Sequence, residues 1–258
     1  MVKEKKGMRL KDKVAIVTGG AQGIGKAYVT GFADEGAKLT IADINLQAAE
    51  ATVETVKERG GEALATRTDV SNPEDTQEMV RKTIELFGRV DILVNNAAIF
   101  HRVSMIRVPF SELDLDEWDR VMAVAVKGTF LCSRAVFPHM QAQGGGKIIN
   151  ITSSLFFLGL ANHTHYLASK GAVIGFTRAL AREVGKYNVN VKCIAPGGTF
   201  SMDASDKPAW LEPLIAARSI QRMEYPEDLV GTAIFLASSD SDFITGQTIV
   251  VDGGEVMH

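Results

Sequence analysis

Cysteine is scarce: the chain of 258 residues has two, Cys132 and Cys193. They fall in different apolar segments without metal-type spacing. That excludes a disulfide framework and leaves buried free thiols in a reducing cytoplasm as the simplest reading. The five histidines do not pair at ligand spacing either; His163 and His165, two apart, splay on a helix, so no metal is expected. Long hydrophobic runs are missing too. No stretch reaches the run of about 18–20 apolar residues that a membrane helix needs. The N-terminus "MVKEKKGMRLKDK" is charged, with no apolar core for a signal peptide, and residues 1–10 are expected as a flexible, solvated tail. An excess of positive charge is also absent. Lys+Arg 28 against Asp+Glu 31 gives a net charge of -3, which argues against a nucleic-acid partner.

What the chain does have is 46% hydrophobic residues and a regular alternation of short apolar runs with amphipathic stretches. "KVAIVTG" (Lys13–Gly19) is β-branched and continuous, like a strand buried on both faces. "KLTIAD" (Lys38–Asp43), "EALATRTDV" (Glu62–Val70), "VDILVNNAA" (Val90–Ala98), "GKIINITSS" (Gly146–Ser154), "VNVKCIAPGG" (Val189–Gly198) and "GQTIVVDGG" (Gly246–Gly254) read as further strands. Helical stretches separate them. One has Asn72 as N-cap with Pro73 at its first position, and one runs unbroken from about Leu115 to Gln141. Such alternation implies an α/β fold with parallel strands and right-handed crossovers. No linker or low-complexity break appears, so residues 11–258 are expected to form a single domain. The least regular segment, about 199–220, follows the sixth strand. Ligands bind beyond the carboxyl ends of the strands in open α/β sheets, so a lid is expected there; a plain surface insertion is the other reading.

"TGGAQGIG" (Thr18–Gly25) sits where the first strand turns into the first helix. Gly19, Gly23 and Gly25, with Gln22 and Ile24 between them, would let the backbone approach a phosphate and present a helix N-terminus to a pyrophosphate. Asp43 ends the second strand, twenty residues after Gly23. A carboxylate there would bind the adenosine ribose hydroxyls and repel a 2′-phosphate. No Arg or Lys lies in Gly20–Ile24 and Ile44 follows Asp43, so NAD is the expected cofactor over NADP. The alternative is a surface carboxylate at a strand end.

"HYLASKG" (His165–Gly171) holds Tyr166 and Lys170 four residues apart, on the same face of a helix. A free phenol titrates near pH 10 and is a poor base at neutral pH. A cation about 4 Å away contributes about 4 kcal/mol at an effective dielectric of about 20, or roughly three pKa units before desolvation. Tyr166 beside Lys170 could therefore take a proton from an alcohol, or return one to a carbonyl. Alone, the pair also suits a half-buried Tyr beside a solvated Lys. Ser153, thirteen residues earlier at the end of the fifth strand, could hydrogen-bond the same substrate oxygen.

With the glycine loop, Asp43, Asp69-Val70, "NNAA" (Asn95–Ala98), the Ser153/Tyr166/Lys170 spacing, "APGG" (Ala195–Gly198) and "FITGQTIVVDGG", the chain resembles the short-chain dehydrogenase/reductase family from Lys11 to Gly254. The resemblance implies a Rossmann-type, doubly wound, seven-stranded parallel sheet. It also implies NAD(P)-linked alcohol oxidation or carbonyl reduction, often in a homotetramer. By position, Tyr166 would be the acid/base, Lys170 would lower its pKa and bind the nicotinamide ribose, and Ser153 would orient the substrate oxygen. Asp69 and Val70 would hold the adenine, Asn95 would steady the central strands, and Ala97 would border the cofactor. Pro196, Gly197 and Thr199 would meet the nicotinamide amide, with Ser201 near the pyrophosphate.

In "VMAVAVKG" (Val121–Gly128) the family usually has asparagine where this chain has Ala125. Alanine cannot hold a relay water through its side chain. Either a neighbouring carbonyl or side chain holds the water, or turnover is slower, or the protein binds NAD with little catalysis. Phe100, Phe156, Phe157, His163 and Trp210 are the candidate substrate pocket, and an apolar pocket suits a hydrophobic or aromatic alcohol. Core or subunit packing is the other reading of these rings. "HTHYLASKGAVIGFTRALA" and the C-terminal stretch look like the subgroup of 1-phenylethanol and pyridoxal 4-dehydrogenases, which oxidise an alcohol carbon attached to an aromatic ring with NAD. The expectation is an enzyme that interconverts a secondary or benzylic alcohol and its ketone or aldehyde. A reductase of oxoacyl or sugar substrates is the competing one.

Overall fold

Every residue of Val14–Thr18 is buried, as a continuous β-branched run requires when both faces of a sheet are covered. In the computed structural model, which describes residues 8–99, 105–200 and 211–257, this segment is β1 of a parallel sheet. The other strands are β2 (Lys38–Asp43), β3 (Ala63–Arg67), β4 (Ile92–Asn95), β5 (Gly146–Ile151), β6 (Val189–Pro196) and β7 (Thr248–Val251). Their order is β3-β2-β1-β4-β5-β6-β7, the seven-stranded doubly wound arrangement expected. The helices are α1 (Gly23–Asp34), α2 (Leu46–Glu58), α3 (Pro73–Phe87), α4 (Leu115–Met122), α5 (Gly128–Ala142), α6 (Leu155–Leu158), α7 (Thr164–Val184), α8 (Leu211–Ala217) and α9 (Pro226–Ala237).

The pleat divides the core in two. Ala15, Val17, Ile92, Val94, Ile149 and Ile151 point toward α1, α2 and α9. Ile16, Leu93 and Ile148 point the other way, toward residues of α3, α5 and α7. β1 pairs with β2 on one side and β4 on the other, so the winding reverses between β1 and β4. A crevice opens at such a reversal, beyond the carboxyl ends of the strands.

Three boundaries differ from the sequence expectation. The helix of 115–141 is continuous but contains a π-turn over Ala123–Lys127, between α4 and α5. By length and composition Leu115–Ala142 could cross a membrane, although no apolar run announced it. In this fold 44% of its most apolar window is buried, with packing against α3, β4, β5 and α7. The third strand is shorter than expected, and Thr68 leaves it to donate its amide to Asp43 O at 2.9 Å. At the N-terminus, Leu10 is fully buried and Arg9 pairs with Glu35 at 2.6 Å, so these two residues pack on the domain instead of belonging to a tail. The proposed lid is described only at its ends, because residues 201–210 lie outside the described residues.

Candidate active site

At the end of β1 the chain must turn sharply and then start α1. Gly19 has φ +63°, and a Cβ there would lie 2.9 Å from Ala97 Cα. At Gly25 a Cβ would meet Gly19 O at 2.0 Å, so only hydrogen fits where helix closes on loop. Asn96 clamps this turn by donating to Thr18 O (3.1 Å) and Gly19 O (3.0 Å). Thr18 Oγ1 accepts the amides of Asn96 and Ala97 at 3.0 and 3.1 Å. Gln22 makes no side-chain capping bond at the start of α1. The first-turn amides of a helix lack intrahelical partners, and here they face the cleft.

The cleft has a volume of about 470 Å³, and Gly19, Gln22, Gly23, Ile24, Gly25, Asp43, Asp69, Val70 and Ala97 all line it. Asp43 is 9% exposed. It accepts the amides of Ala21 (3.2 Å) and Asn45 (3.0 Å), which fixes its orientation at the end of β2. Asp69 Oδ1 accepts from Ser71 N and Oγ at 2.9 and 2.7 Å. Asn95 stands apart from the lining. Its Nδ2 donates to Asn150 Oδ1 (2.8 Å) and Ser133 Oγ (3.1 Å), and Asn150 donates to Thr177 Oγ1 at 2.9 Å. Asn95 thus ties β4 to β5, α5 and α7. Among the further lining residues are Asn96, Ile99, Arg120 and Val124. The doubled asparagine could have pointed to Asn96. Nothing in one dimension pointed to Arg120, whose guanidinium is paired with buried Glu117 at 2.6 Å.

Ser153, Tyr166 and Lys170 come together beside this cleft, without lining it. Ile99 and Val124 line the cleft and also pack with Tyr166. Residues 152–154 prolong the β5–β6 pairing past the strand: Thr152 N donates to Ile194 O and Ser154 N to Pro196 O, both at 2.8 Å. That places Ser153 against the first turns of α7. Its hydroxyl lies close enough to the Tyr166 phenol to favour that group's ionised form. Lys170 Nζ lies 5.6 Å from the Tyr166 ring centroid and donates to Ile151 O at 3.0 Å. All three residues are buried. Burial pushes the phenol up to about 12, with the Ser153 hydroxyl opposing. Burial also pushes the Lys170 ammonium down to about 8. Desolvation therefore outweighs the lowering expected from the neighbouring cation in the protein by itself.

The remaining candidates sit elsewhere. Phe157 packs with Val173, Ile174 and Cys193. Phe156 stands edge-on to Phe157 at 5.2 Å and borders Gly171, on the flank of α7. His163 Nδ1 lies 2.7 Å from Ala161 O. Phe100, Ser201 and Trp210 lie outside the described residues. Pro196 ends β6, and Gly197 and Thr199 follow it. Here Glu224, which sequence reasoning missed, accepts from Gly197 N (3.3 Å) and Thr199 Oγ1 (2.9 Å).

Comparison with known proteins agrees with this architecture. The chain is 40% identical over 248 residues to the (2S)-[(R)-hydroxy(phenyl)methyl]succinyl-CoA dehydrogenase subunit BbsD of Thauera aromatica, covering 96% of this chain and 98% of that one. It is 40% identical over 249 residues to 2-dehydro-3-deoxy-D-gluconate 5-dehydrogenase of Dickeya dadantii, covering 95% and 96%. A solved structure of 7α-hydroxysteroid dehydrogenase, complexed with NADH and 7-oxo glycochenodeoxycholic acid, superposes with a TM-score of 0.90 at 33% identity, covering 98% and 97%. The short chain dehydrogenase family model matches residues 13–210, and with it the glycine turn, the cleft and the Ser153–Tyr166–Lys170 group, so this chain belongs to that family of oxidoreductases.

Proposed function

We propose that this chain is an NAD-dependent dehydrogenase that interconverts a secondary or benzylic alcohol and its ketone or aldehyde. One observation carries the reading: a buried phenol, beside the Ser153 hydroxyl and flanked by the Lys170 ammonium, adjoins a glycine-walled cleft. A dinucleotide fits that cleft on its own chemistry. The Gly19/Gly25 contact leaves room for backbone but not side chain, and an uncapped helix start faces it. Gly19–Gly25 with Ser201 would hold the pyrophosphate, Asp43 the adenosine ribose, Asp69 and Val70 the adenine, and Pro196–Thr199 the nicotinamide end. Asp43 favours NAD because its carboxylate would repel a 2′-phosphate. When bound, the nicotinamide supplies the hydride acceptor or donor and, oxidised, a positive charge.

In carbonyl reduction Tyr166 donates its phenolic proton to the substrate oxygen, and Ser153 hydrogen-bonds that oxygen. Lys170 stabilises the phenolate left behind. In alcohol oxidation the same atoms act in reverse, with the alcohol proton passing to Tyr166 Oη. Burial favours the neutral phenol, so reduction starts from the resting protonation state. The name of the Thauera relative describes an alcohol carbon bearing a phenyl group, which supports the aromatic substrate class. A second reading, reduction of a sugar-acid carbonyl, is favoured by the equally similar Dickeya relative. Assembly as a homotetramer in the cytoplasm belongs to the same proposal.

NADH absorbance with 1-phenylethanol, benzylic alcohols and sugar acids tests both readings. Tyr166→Phe keeps the ring and removes the acid; it should lower kcat by about 10³-fold with NADH binding retained. Undiminished turnover by Tyr166→Phe would overturn the mechanism. Turnover of sugar acids alone would select the second reading.

A further inference from the structure

Behind the loop that follows β6 lies a buried charge cluster with no part in the proposed chemistry. The side chains of Arg218, Glu224 and Glu255 are 1%, 5% and 3% exposed. Arg218 Nη2 is 3.5 Å from Glu224 Oε2, and Arg218 Nε is 3.8 Å from Glu255 Oε2. Arg218 Nε, Glu224 Oε2 and Glu255 Oε2 make no hydrogen bond among the described residues, although each is buried. One guanidinium thus serves two carboxylates and is fully bonded to neither.

The cluster grips the loop at each residue. Glu224 Oε1 accepts from Gly197 N and Thr199 Oγ1. Phe200 N donates to Glu224 O at 2.8 Å, and Arg218 Nη2 donates to Gly198 O at 3.1 Å. A Cβ on Gly197 would meet Glu224 Oε2 at 2.4 Å, so the carboxyl presses directly on the loop. The C-terminal segment closes the cluster from the other side. Ile220 N donates to Gly253 O at 2.8 Å, and Asp252 folds the tail back by accepting the amides of Gly254 and Val256, both at 2.9 Å.

We propose that Glu224 is a positioning residue, a proton-tightened clamp that fixes the Gly197–Thr199 loop, and that Arg218 and Glu255 make the C-terminal segment part of that clamp. The link to cofactor affinity rests on the proposed function, which places the nicotinamide end against this loop. The charge count explains the proton. Asp252 adds negative charge beside Glu224 and Glu255 shares its Arg218, while Arg218 and Arg222 supply positive charge, the latter already paired with Asp228 at 2.7 Å. From α1, Tyr28 faces Glu224 with a neutral phenol that burial holds protonated. Burial pushes the Glu224 carboxyl up to about 7, opposed by Thr199, Arg218 and Gly197. Opening the loop would return this carboxyl to water, where it titrates near 4.5. The closed state therefore binds more protons than the open state. Its extra hold is fully present below about pH 4.5 and is lost as pH rises through about 7.

Hydrogen–deuterium exchange of Gly197–Phe200 and fluorescence titration with NADH, both on the full chain, test this between about pH 6 and pH 8.5. In the wild type, exchange corrected for its intrinsic pH dependence should quicken about tenfold across that range, and NADH Kd should rise about tenfold, equivalent to about 1.4 kcal/mol. Glu224→Gln keeps the acceptor for Gly197 and Thr199 but cannot ionise. It should hold both readouts at their low-pH values, binding NADH more tightly than wild type at high pH. Glu224→Ala should be loose throughout. Glu255→Gln frees Arg218 for Glu224 and should move the wild-type midpoint to lower pH. A Glu224→Gln protein that keeps the wild-type pH profile in both readouts would overturn the clamp, as would a wild-type profile that is flat. If the wild type binds no NADH, the dehydrogenase reading fails, while loop exchange still decides the clamp.

Discussion

Asp43 holds its carboxylate by two backbone amides, one from the glycine turn and one from the residue that caps α2. That anchoring bears on cofactor choice, because a fixed charge discriminates more sharply than one that can swing away. A charged group bonded to a ribose hydroxyl contributes about 1.5–3 kcal/mol. Asp43→Ser should therefore raise KM for NAD by about 10- to 100-fold and remove most of the preference over NADP. The ratio of kcat/KM for the two cofactors measures this, and an unchanged ratio would dismiss Asp43 as the selector. Asp43 was legible in the sequence because strand end and glycine turn fix where a carboxylate must fall. The Ser153, Tyr166 and Lys170 cluster was legible for a similar reason, since helical spacing and strand end place all three together. Their protonation was not legible. Spacing gives the distance between Tyr166 and Lys170, but the desolvation that dominates both groups depends on burial by other segments, which bring Ile99 and Val121 against Tyr166. Glu224 escaped notice because it meets Gly197 across 27 residues of chain with no periodic signal.

Among the elements, the junction of β1 and α1 is the most constrained. Gly25 packs on Gly19 O so closely that a methyl would have to push the turn away from the helix. Asn96 Nδ2 would stand 2.7 Å from the same methyl, so its clamp on Thr18 and Gly19 would open as well. Gly25→Ala should lower stability by about 1–3 kcal/mol, as overpacking does, and weaken NADH binding by at least about tenfold. Urea denaturation and NADH fluorescence read the two effects separately; normal affinity in a folded Gly25→Ala protein would exclude this turn as the phosphate site. The strands were visible beforehand because buried parallel strands read as unbroken apolar runs. The π-turn over Ala123–Lys127 was not, because its sequence "AVAVK" keeps helical composition and the extra residue is absorbed without a Gly or Pro. It brings Ala123 and Val124 to the cleft while Ala125 O accepts from Thr129 Oγ1 at 2.7 Å. The side chain at 125 therefore contributes only packing, and the backbone around it carries the polar contacts.

At the scale of the whole molecule, a net charge of -3 conceals several ionisable groups buried in the core. Lys192 is a buried cation. It lies on β6 at 1% exposure and donates to Leu236 O (2.9 Å) and Ser241 Oγ (2.5 Å), with no carboxylate bonded to it among the described residues. Burial pushes its ammonium down to about 7, with Lys147 adding repulsion and Asp242 opposing. An unfolded lysine titrates near 10.5, so between about pH 7 and that value the unfolded chain binds a proton that the folded chain does not. Stability attributable to this group must then rise with pH across that window, by up to about 1.4 kcal/mol per unit. Glu224 acts with the opposite sign in a lower window, losing stability between about 4.5 and about 7. The two effects meet near neutrality, which makes neutral pH the point of greatest combined strain. Lys192→Met removes the upper arm alone. It also sacrifices two hydrogen bonds, a loss that is the same at every pH. The stability of Lys192→Met relative to wild type, from urea denaturation, should therefore be most favourable near pH 7 and decline steadily toward pH 10. A difference that stays level over that range would mean Lys192 keeps its proton inside the fold, and the buried ammonium would then have to be accommodated by the Leu236 and Ser241 oxygens alone.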